Sequence, residues 1–402
     1  MDLQIGRFRK PEYRPGAETG QPLSHSSKIG RPAEGLRYRL YGPIFVWLTQ
    51  SQSCREVSMR FPGTVRCTMW CTVLLLVVAI SGQALGIEKK NQSEGQEGQE
   101  KGAAMTSQQM SADEQLKAAD SVFQTRDYQA ALEEYLAVLD AAEAEFNRPV
   151  ETEALAQIAR MHLILGEKED GREWLDKAAE KATDSDPMGW SRYLGVKGRY
   201  EWKDDDLASA RKTFNDMYVY CNTNALWGRA VDAAHMIAIV AESPADQLEW
   251  SRRGIEAAET GGEERWLGPL WNNMAITYFD QKQYDTALTC FQNAREYHWR
   301  HSGEMGKLYA DYHVGMTYRK MGELEKAKQW LRPVLAWAER LGDHSAIGQA
   351  CEDLGEVAIA EGNKAEGLAM LQRARDEYKA AGFDESWKEI WDNINKRISE
   401  VQ

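Results

Sequence analysis

The sequence predicts an all-α solenoid of seven helix pairs closed by a C-terminal capping helix. Three observations predict it. From Ser111 onward, paired small positions and a large apolar position recur every 37–40 residues. Turn-forming residues fall midway through the repeats, and proline is nearly absent from the stretches between them. No stretch sustains the alternation of a strand, so no sheet is expected.

Composition sets the outer bounds. The chain has 402 residues, 43% hydrophobic and 28% charged, with a net charge of -13. That fits a chain with a packed core and excludes a polytopic membrane protein, a collagen and a wholly disordered chain. The acidic balance argues against nucleic acid as a partner, because phosphate neutralisation needs a basic face. Six cysteines are too few for a disulfide scaffold. Charge also divides the chain. Residues 1–86 hold 11 basic and 5 acidic residues, whereas the remainder holds 38 basic and 57 acidic, a net of -19.

Residues 1–58 carry Pro, Gly and Arg without periodicity and read as a disordered or mis-annotated extension. Cys67 to Ile87 contains no charged residue, and its strongly apolar part, Met69–Ile80, is 12 residues long. That is the length of a signal-peptide core, about 7–15 residues, rather than of a bilayer span of about 20. Arg60 and Arg66 precede the run, and Ala84-Leu85-Gly86 follows it with the small residues of a cleavage site. Residues 59–87 therefore read as a signal peptide beginning at Met59. The rival reading keeps 1–58 as a cytoplasmic tail and 67–87 as an uncleaved anchor, and nine basic residues in 1–58 satisfy the positive-inside rule. Both readings export the repeat region (periplasmic, extracytoplasmic or secreted) or tether it to a membrane. Residues 88–110, rich in Gln, Glu, Gly and Lys, read as a disordered linker.

The repeat domain spans 111–383. Its first small positions are Ala119, Ala159, Gly198, His235, Ala275, Gly315 and Gly355. Twelve residues later come Ala131, Gly171, Ala210, Gln247, Ala287, Ala327 and Gly367. Four further on stand Tyr135, Leu175, Phe214, Ser251, Phe291, Leu331 and Leu371. Twelve of the fourteen small positions are Ala or Gly, although these types make up only 80 of 402 residues. Helices approach to about 8–10 Å only where small residues meet. The fourth repeat departs, with His, Gln and Ser at the three positions. Pro149, Pro187, Pro244 and Pro269 are expected near helix starts, while Pro333 falls within a helix and should kink it.

The fifth repeat, WNNMAITYFDQKQYDTALTCFQNA, resembles the tetratricopeptide-repeat consensus at Trp271, Met274-Ala275, Tyr278, Ala287, Phe291 and Ala294. The sixth and first repeats follow it well. The family's period is 34 residues, whereas this one is near 40, a lengthening similar to that of kinesin light chains. The resemblance implies a right-handed superhelix of about seven helix pairs. Residues 384–402 leave the pattern but stay amphipathic, as a C-terminal capping helix requires. Trp387 and Trp391, one turn apart, are expected to be exposed there.

The resemblance also implies binding of a protein or peptide partner on the concave face, lined by the first helix of each pair. The inward positions are then Arg160, Arg192, Arg199 and Arg229, with Trp202, Asn272, Asn273, Tyr309, Tyr312 and Arg319, and Phe279 as a further aromatic. Four arginines inside an acidic object suit an acidic peptide or a C-terminal carboxylate. The competing reading pairs them with neighbouring Asp and Glu. The family's carboxylate clamp of Lys and Asn is not found. No cofactor, metal or catalytic site is expected: phosphate loops, nucleophile elbows and zinc motifs are missing, and His298 and His301 have no third ligand. Cys221, Cys290 and Cys351 fall within helical patterns and read as small hydrophobes. The expected function is a non-catalytic scaffold, with a regulatory or sensor protein, or an accessory subunit of an envelope enzyme complex, as alternatives.

Overall fold

The computed structural model describes residues 110–402. The expectations for 1–58, 59–87 and the 88–110 linker lie outside the described residues, apart from Met110. The described residues form helices and no strand. In chain order they are α1 Ala112–Thr125, α2 Tyr128–Ala144, α3 Arg148–Leu165, α4 Lys168–Lys181, α5 Pro187–Lys203, α6 Leu207–Thr223, α7 Trp227–Ile239 and α8 Pro244–Gly261. Then follow α9 Glu264–Asp280, α10 Tyr284–His301, α11 Glu304–Lys320, α12 Leu324–Leu341, α13 His344–Ala360, α14 Lys364–Ala380, α15 Phe383–Ser386 and α16 Lys388–Val401. Helices α1 to α14 are the seven pairs, and each packs on the next along the chain. Among the described residues, no helix is long and apolar enough to cross a membrane.

Local chemistry sets the helix boundaries. Ser111, Asp127, Asn147, Asp186, Asp206, Ser243, Asp343 and Asn363 are N-caps whose side chains accept a backbone N–H of the first turn. Each supplies an acceptor that the helix itself lacks there. Within six of the pairs, one left-handed residue turns the chain: Arg126, Gly166, Asp205, Lys282, Gly322 and Gly362.

The small positions are where the helices of a pair touch. A Cβ on Gly355 would stand 3.1 Å from the Gly367 carbonyl, and one on Gly367 would stand 2.9 Å from the Gly355 carbonyl. The large position fills the space beside the contact. A Cβ on Gly198 would lie 2.6 Å from the Phe214 ring, and one on Gly315 would lie 2.9 Å from Leu331. Tyr135, Phe214, Phe291, Leu331 and Leu371 are all fully buried.

The fourth pair explains its own departure. The turn between α7 and α8 is a residue longer than its neighbours and has no left-handed residue. The inward register shifts accordingly. Ala234, not His235, takes the small position: it is fully buried, and its Cβ lies 3.5 Å from where a Cβ on Gly254 would stand. His235 is released toward the concave side.

Two further expectations change. Pro269 sits inside α9 rather than at its start, whereas Pro333 lies inside α12, where the sequence placed it. Neither proline donates to the helix ladder, so the carbonyls four residues earlier lose that partner. Trp387 and Trp391 are half-buried rather than exposed, because α16 lays them against the last pair. Phe383 stacks on Tyr378 at 5.0 Å, and Trp387 stands 6.3 Å from Phe383.

Gly198→Leu drives side-chain atoms into the Phe214 ring. Urea unfolding should show a loss of about 1–3 kcal/mol, the usual consequence of overpacking. An unchanged midpoint would mean that the α5–α6 contact is not tight in solution.

Candidate ligand-binding groove

The first helices of pairs one to six wall a single cavity of about 810 Å³. That lies within the range of about 300–1,000 Å³ common to ligand pockets. Most of the wall is apolar: Phe123 from α1, Leu163 and Ile164 from α3, Trp202 from α5, Met236 and Ile239 from α7, and Trp266 from α9. Its polar groups divide along the chain. Pairs one to four supply charge, through Arg126, Arg160, Lys168, Arg199, Lys203 and Asp232. The wall from α9 to α11 is uncharged, with Asn272, Asn273, His298, Ser302, Tyr309 and His313.

In the charged part, Arg199 is spoken for. Its Nη2 donates to both Asp232 oxygens, at 2.7 and 3.0 Å, and its Nη1 donates to the Gly195 carbonyl at 2.8 Å. Burial pushes the Asp232 carboxyl up, but Arg199 and Arg160 beside it prevail and hold it at about 2. Arg160 differs. Its guanidinium lies 4.7 Å from the centre of the Phe123 ring, and its buried Nε has no hydrogen-bond partner. Burial, and then the neighbouring Arg199, pulls Arg160 down to about 9.

In the uncharged part, and at His235 of α7 next to it, burial disfavours the charged form of the histidines. It lowers His298 to about 4 and His313 to about 3, and it lowers His235 as well. Asn273 Nδ2 meets His235 Nδ1 at 3.1 Å, and His298 Nδ1 meets Ser302 Oγ at 2.8 Å. Two groups remain unmatched. Among the described residues, the Nδ2 of Asn272, which is 2% exposed, has no partner, and the Nδ1 of His313, which is 3% exposed, has none.

The structure places Arg160, Arg199, Trp202, Asn272, Asn273 and Tyr309 on the cavity wall. Arg192, Arg229, Tyr312 and Arg319 are not on it: of the four neighbouring arginines only Arg160 and Arg199 line the cavity, while Arg192 and Arg229 pair with carboxylates, as the competing reading expected. The reason is Glu153, whose side chain is 4% exposed and inserted between two of them. It accepts from Arg192 Nε at 3.1 Å and from Arg229 Nη2 at 2.5 Å. Arg192 Nη2 also donates to Asp120 at 3.1 Å, and Tyr135 and Gln157 complete that carboxylate's shell. One buried network thus ties pairs one to four together. Arg319 is bound by Asp353 of the next pair, Tyr312 is buried beside Tyr309, and Phe279 packs on Tyr284 and Phe291.

Sequence reading missed His235, Trp266 and His313 as wall residues. His235 carried a signal, since a large polar residue stood where a small one was expected. His298 and His301 have separate partners, Ser302 and Glu264. Among the described residues, no group of three or more His, Cys, Asp or Glu is placed to hold a metal. Cys221, Cys290 and Cys351 are free and buried, and burial pushes their thiols up to about 12, 11 and 11.

Glu153→Gln leaves two buried arginines short of a counter-charge and should cost about 3–5 kcal/mol in urea unfolding. Burial opposes ionisation of Asp120 and Glu153, yet the arginines, with Tyr135 and Gln157 at Asp120, outweigh it and hold both carboxyls below the usual carboxylate range. A lowered carboxylate stabilises fully above its unfolded value, and that contribution is lost as pH falls through the folded one. The melting temperature should therefore fall as the pH drops below the ordinary carboxylate range, and Glu153→Gln should flatten that slope. A flat wild-type profile would contradict the network.

Residues 312–340 match the family model of the tetratricopeptide repeat. No curated protein matches the chain. Among solved structures, the chain is similar to a signal-transduction ATPase with numerous domains from Pyrococcus horikoshii, which carries a tetratricopeptide-repeat sensor. That match has a TM-score of 0.59 and 16% identity, and it covers 71% of this chain and 44% of the other. The chain thus spans under half the length of that protein. It is also similar to the apo form of RapI, with a TM-score of 0.55 and 14% identity, covering 67% of this chain and 77% of the other. At these identities the likeness shows the fold. The described residues thus have the fold of tetratricopeptide-repeat solenoids, and residues 312–340 match that repeat by sequence.

Proposed function

We propose that the chain is a non-catalytic interaction scaffold, exported or membrane-tethered, that holds a protein or peptide segment in its concave groove. The observation that carries this reading is the cavity itself. It runs along the inner helices of six pairs, is lined mostly by apolar side chains, and presents a few polar groups without partners. Grooves of that make-up suit a chain segment bound by its side chains and main chain. The wall offers no placed nucleophile and base, and the three described cysteines are buried with raised thiol values. Export rests on the apolar run 67–87 and the basic residues before it.

A sensor role is the second reading. It is favoured by the similarity to a structure whose repeats are described as a sensor. Both readings place the partner in the same groove and differ in what binding triggers.

Replacing Trp202 and Trp266 together by Ala removes two large apolar anchors from the wall. Affinity capture from native envelope extract should recover a partner with the wild-type chain and lose it with this variant at unchanged helicity. Hot-spot aromatics of this kind each account for about tenfold or more in affinity. Equal recovery by both chains would move the site off the concave face.

A further inference from the structure

We infer that the groove takes an extended peptide segment with one internal acidic residue, whose carboxylate docks on Arg160 while its main chain bonds Asn272 and His313. This rests on the groove being the binding face.

The first observation is charge. Arg160, Arg199 and Asp232 share the wall, and Asp232 receives both of its hydrogen bonds from Arg199. One positive charge is left over at that point. Among the described residues, Arg160 makes no hydrogen bond, and its Nε is buried without an acceptor beside the Phe123 ring. A buried guanidinium Nε without an acceptor is destabilising, and a carboxylate that accepts from it removes that penalty with charge-assisted, bidentate bonds. By contrast Arg192 and Arg229 share the buried carboxylate of Glu153, and Arg319 has that of Asp353. Among the described residues, Arg160 is the arginine whose buried side-chain nitrogen lacks a partner, and it lies on the cavity wall.

The second observation is the pair of unmatched buried groups further along. Asn272 Nδ2 is a donor, and His313 Nδ1 either donates or accepts according to tautomer. A peptide main chain supplies both a carbonyl and an N–H to each residue it passes. An apolar acid such as a fatty acid brings a carboxylate for Arg160 but nothing for Asn272 or His313. The third observation is position. The wall continues on both sides of Arg160, through Phe123 and Tyr128 in one direction and Trp202 in the other. A chain ending at Arg160 would leave one side unfilled, so the acid is internal rather than a C-terminus.

The probes are two arrays of random peptides about fifteen residues long. Six helices spaced about 8–10 Å apart span about 40–50 Å, and an extended chain covers about 3.3 Å per residue. One array is acetylated and amidated, so that only side chains carry charge; the other keeps its terminal carboxylate. The full-length chain should select capped peptides with Asp or Glu at one fixed position. Changing that residue to its amide should weaken binding about tenfold or more. Arg160→Met should cause the same loss for the acidic peptide, add nothing to the loss for the amide version, and leave the melting temperature unchanged or higher. Asn272→Ala should weaken both versions alike, with His313→Phe as its substitute if that variant does not fold.

Several results would overturn the inference. Binding that follows the free terminus would assign Arg160 to a C-terminal carboxylate. Decanoate that competes in an Arg160-dependent but Asn272-independent way would assign the groove to an apolar acid. Peptides held equally by the wild type and by Arg160→Met would leave the groove reading standing and remove the anion seat. A folded chain that binds neither array would remove both.

Discussion

The close approach of two helices within each pair is the constraint on which the rest of this structure depends. Gly355 and Gly367 stand so near that a methyl group on either would press on the other's carbonyl, and Gly198 leaves room only for the Phe214 ring. Contacts of this kind, recurring at a period near 40 residues, stack the pairs in one direction. The first helices then fall on the inside, where they cannot close on one another. The cavity is what remains between them. Its walls are apolar because the inner helices are, and its polar groups are few because each one needs a reason to be there.

That reason separates two kinds of buried arginine. Arg192 and Arg229 are held by Glu153, and through Asp120 they bind pairs one to four into a unit. Breaking such a network leaves uncompensated charge, so it acts as a fastener between repeats that otherwise touch only their neighbours. Arg160 lies on the same inner surface, yet the nearby Asp232 is bonded by Arg199, and among the described residues the buried Arg160 Nε has no acceptor. Folding alone does not favour such a group. Stability given up at a wall residue is the ordinary signature of a site arranged for something else to complete it. The histidines make the same contrast at the other end, where His235 and His298 have partners and, among the described residues, His313 Nδ1 has none.

The repeats were legible in the sequence because their cause is local. A small residue at a fixed place in each helix is required by one contact, and that contact recurs. The helix caps were legible for the same reason. The fourth repeat resisted because its turn is one residue longer, which moved the small position to Ala234 and turned His235 inward. A fixed twelve-residue spacing cannot register such a shift. The inward arginines were found as positions but not as a set. Whether an arginine is paired depends on a carboxylate from another helix, and Glu153 lies 39 residues from Arg192 and 76 from Arg229. The exposure expected of Trp387 and Trp391 failed on a similar ground, since the surface they cover belongs to the pair before them.

The central claim is that the inner helices, and not the outer ones, meet the partner. Hydrogen–deuterium exchange on the full-length chain, with and without a bound segment, tests it directly. The account predicts added protection on α3, α5, α7, α9 and α11, with α10 and α12 unchanged beyond the cavity's edge at His298. Protection concentrated instead on α10 and α12, around exposed Trp299 and its neighbour Trp337, would place binding on the outer face and contradict the account.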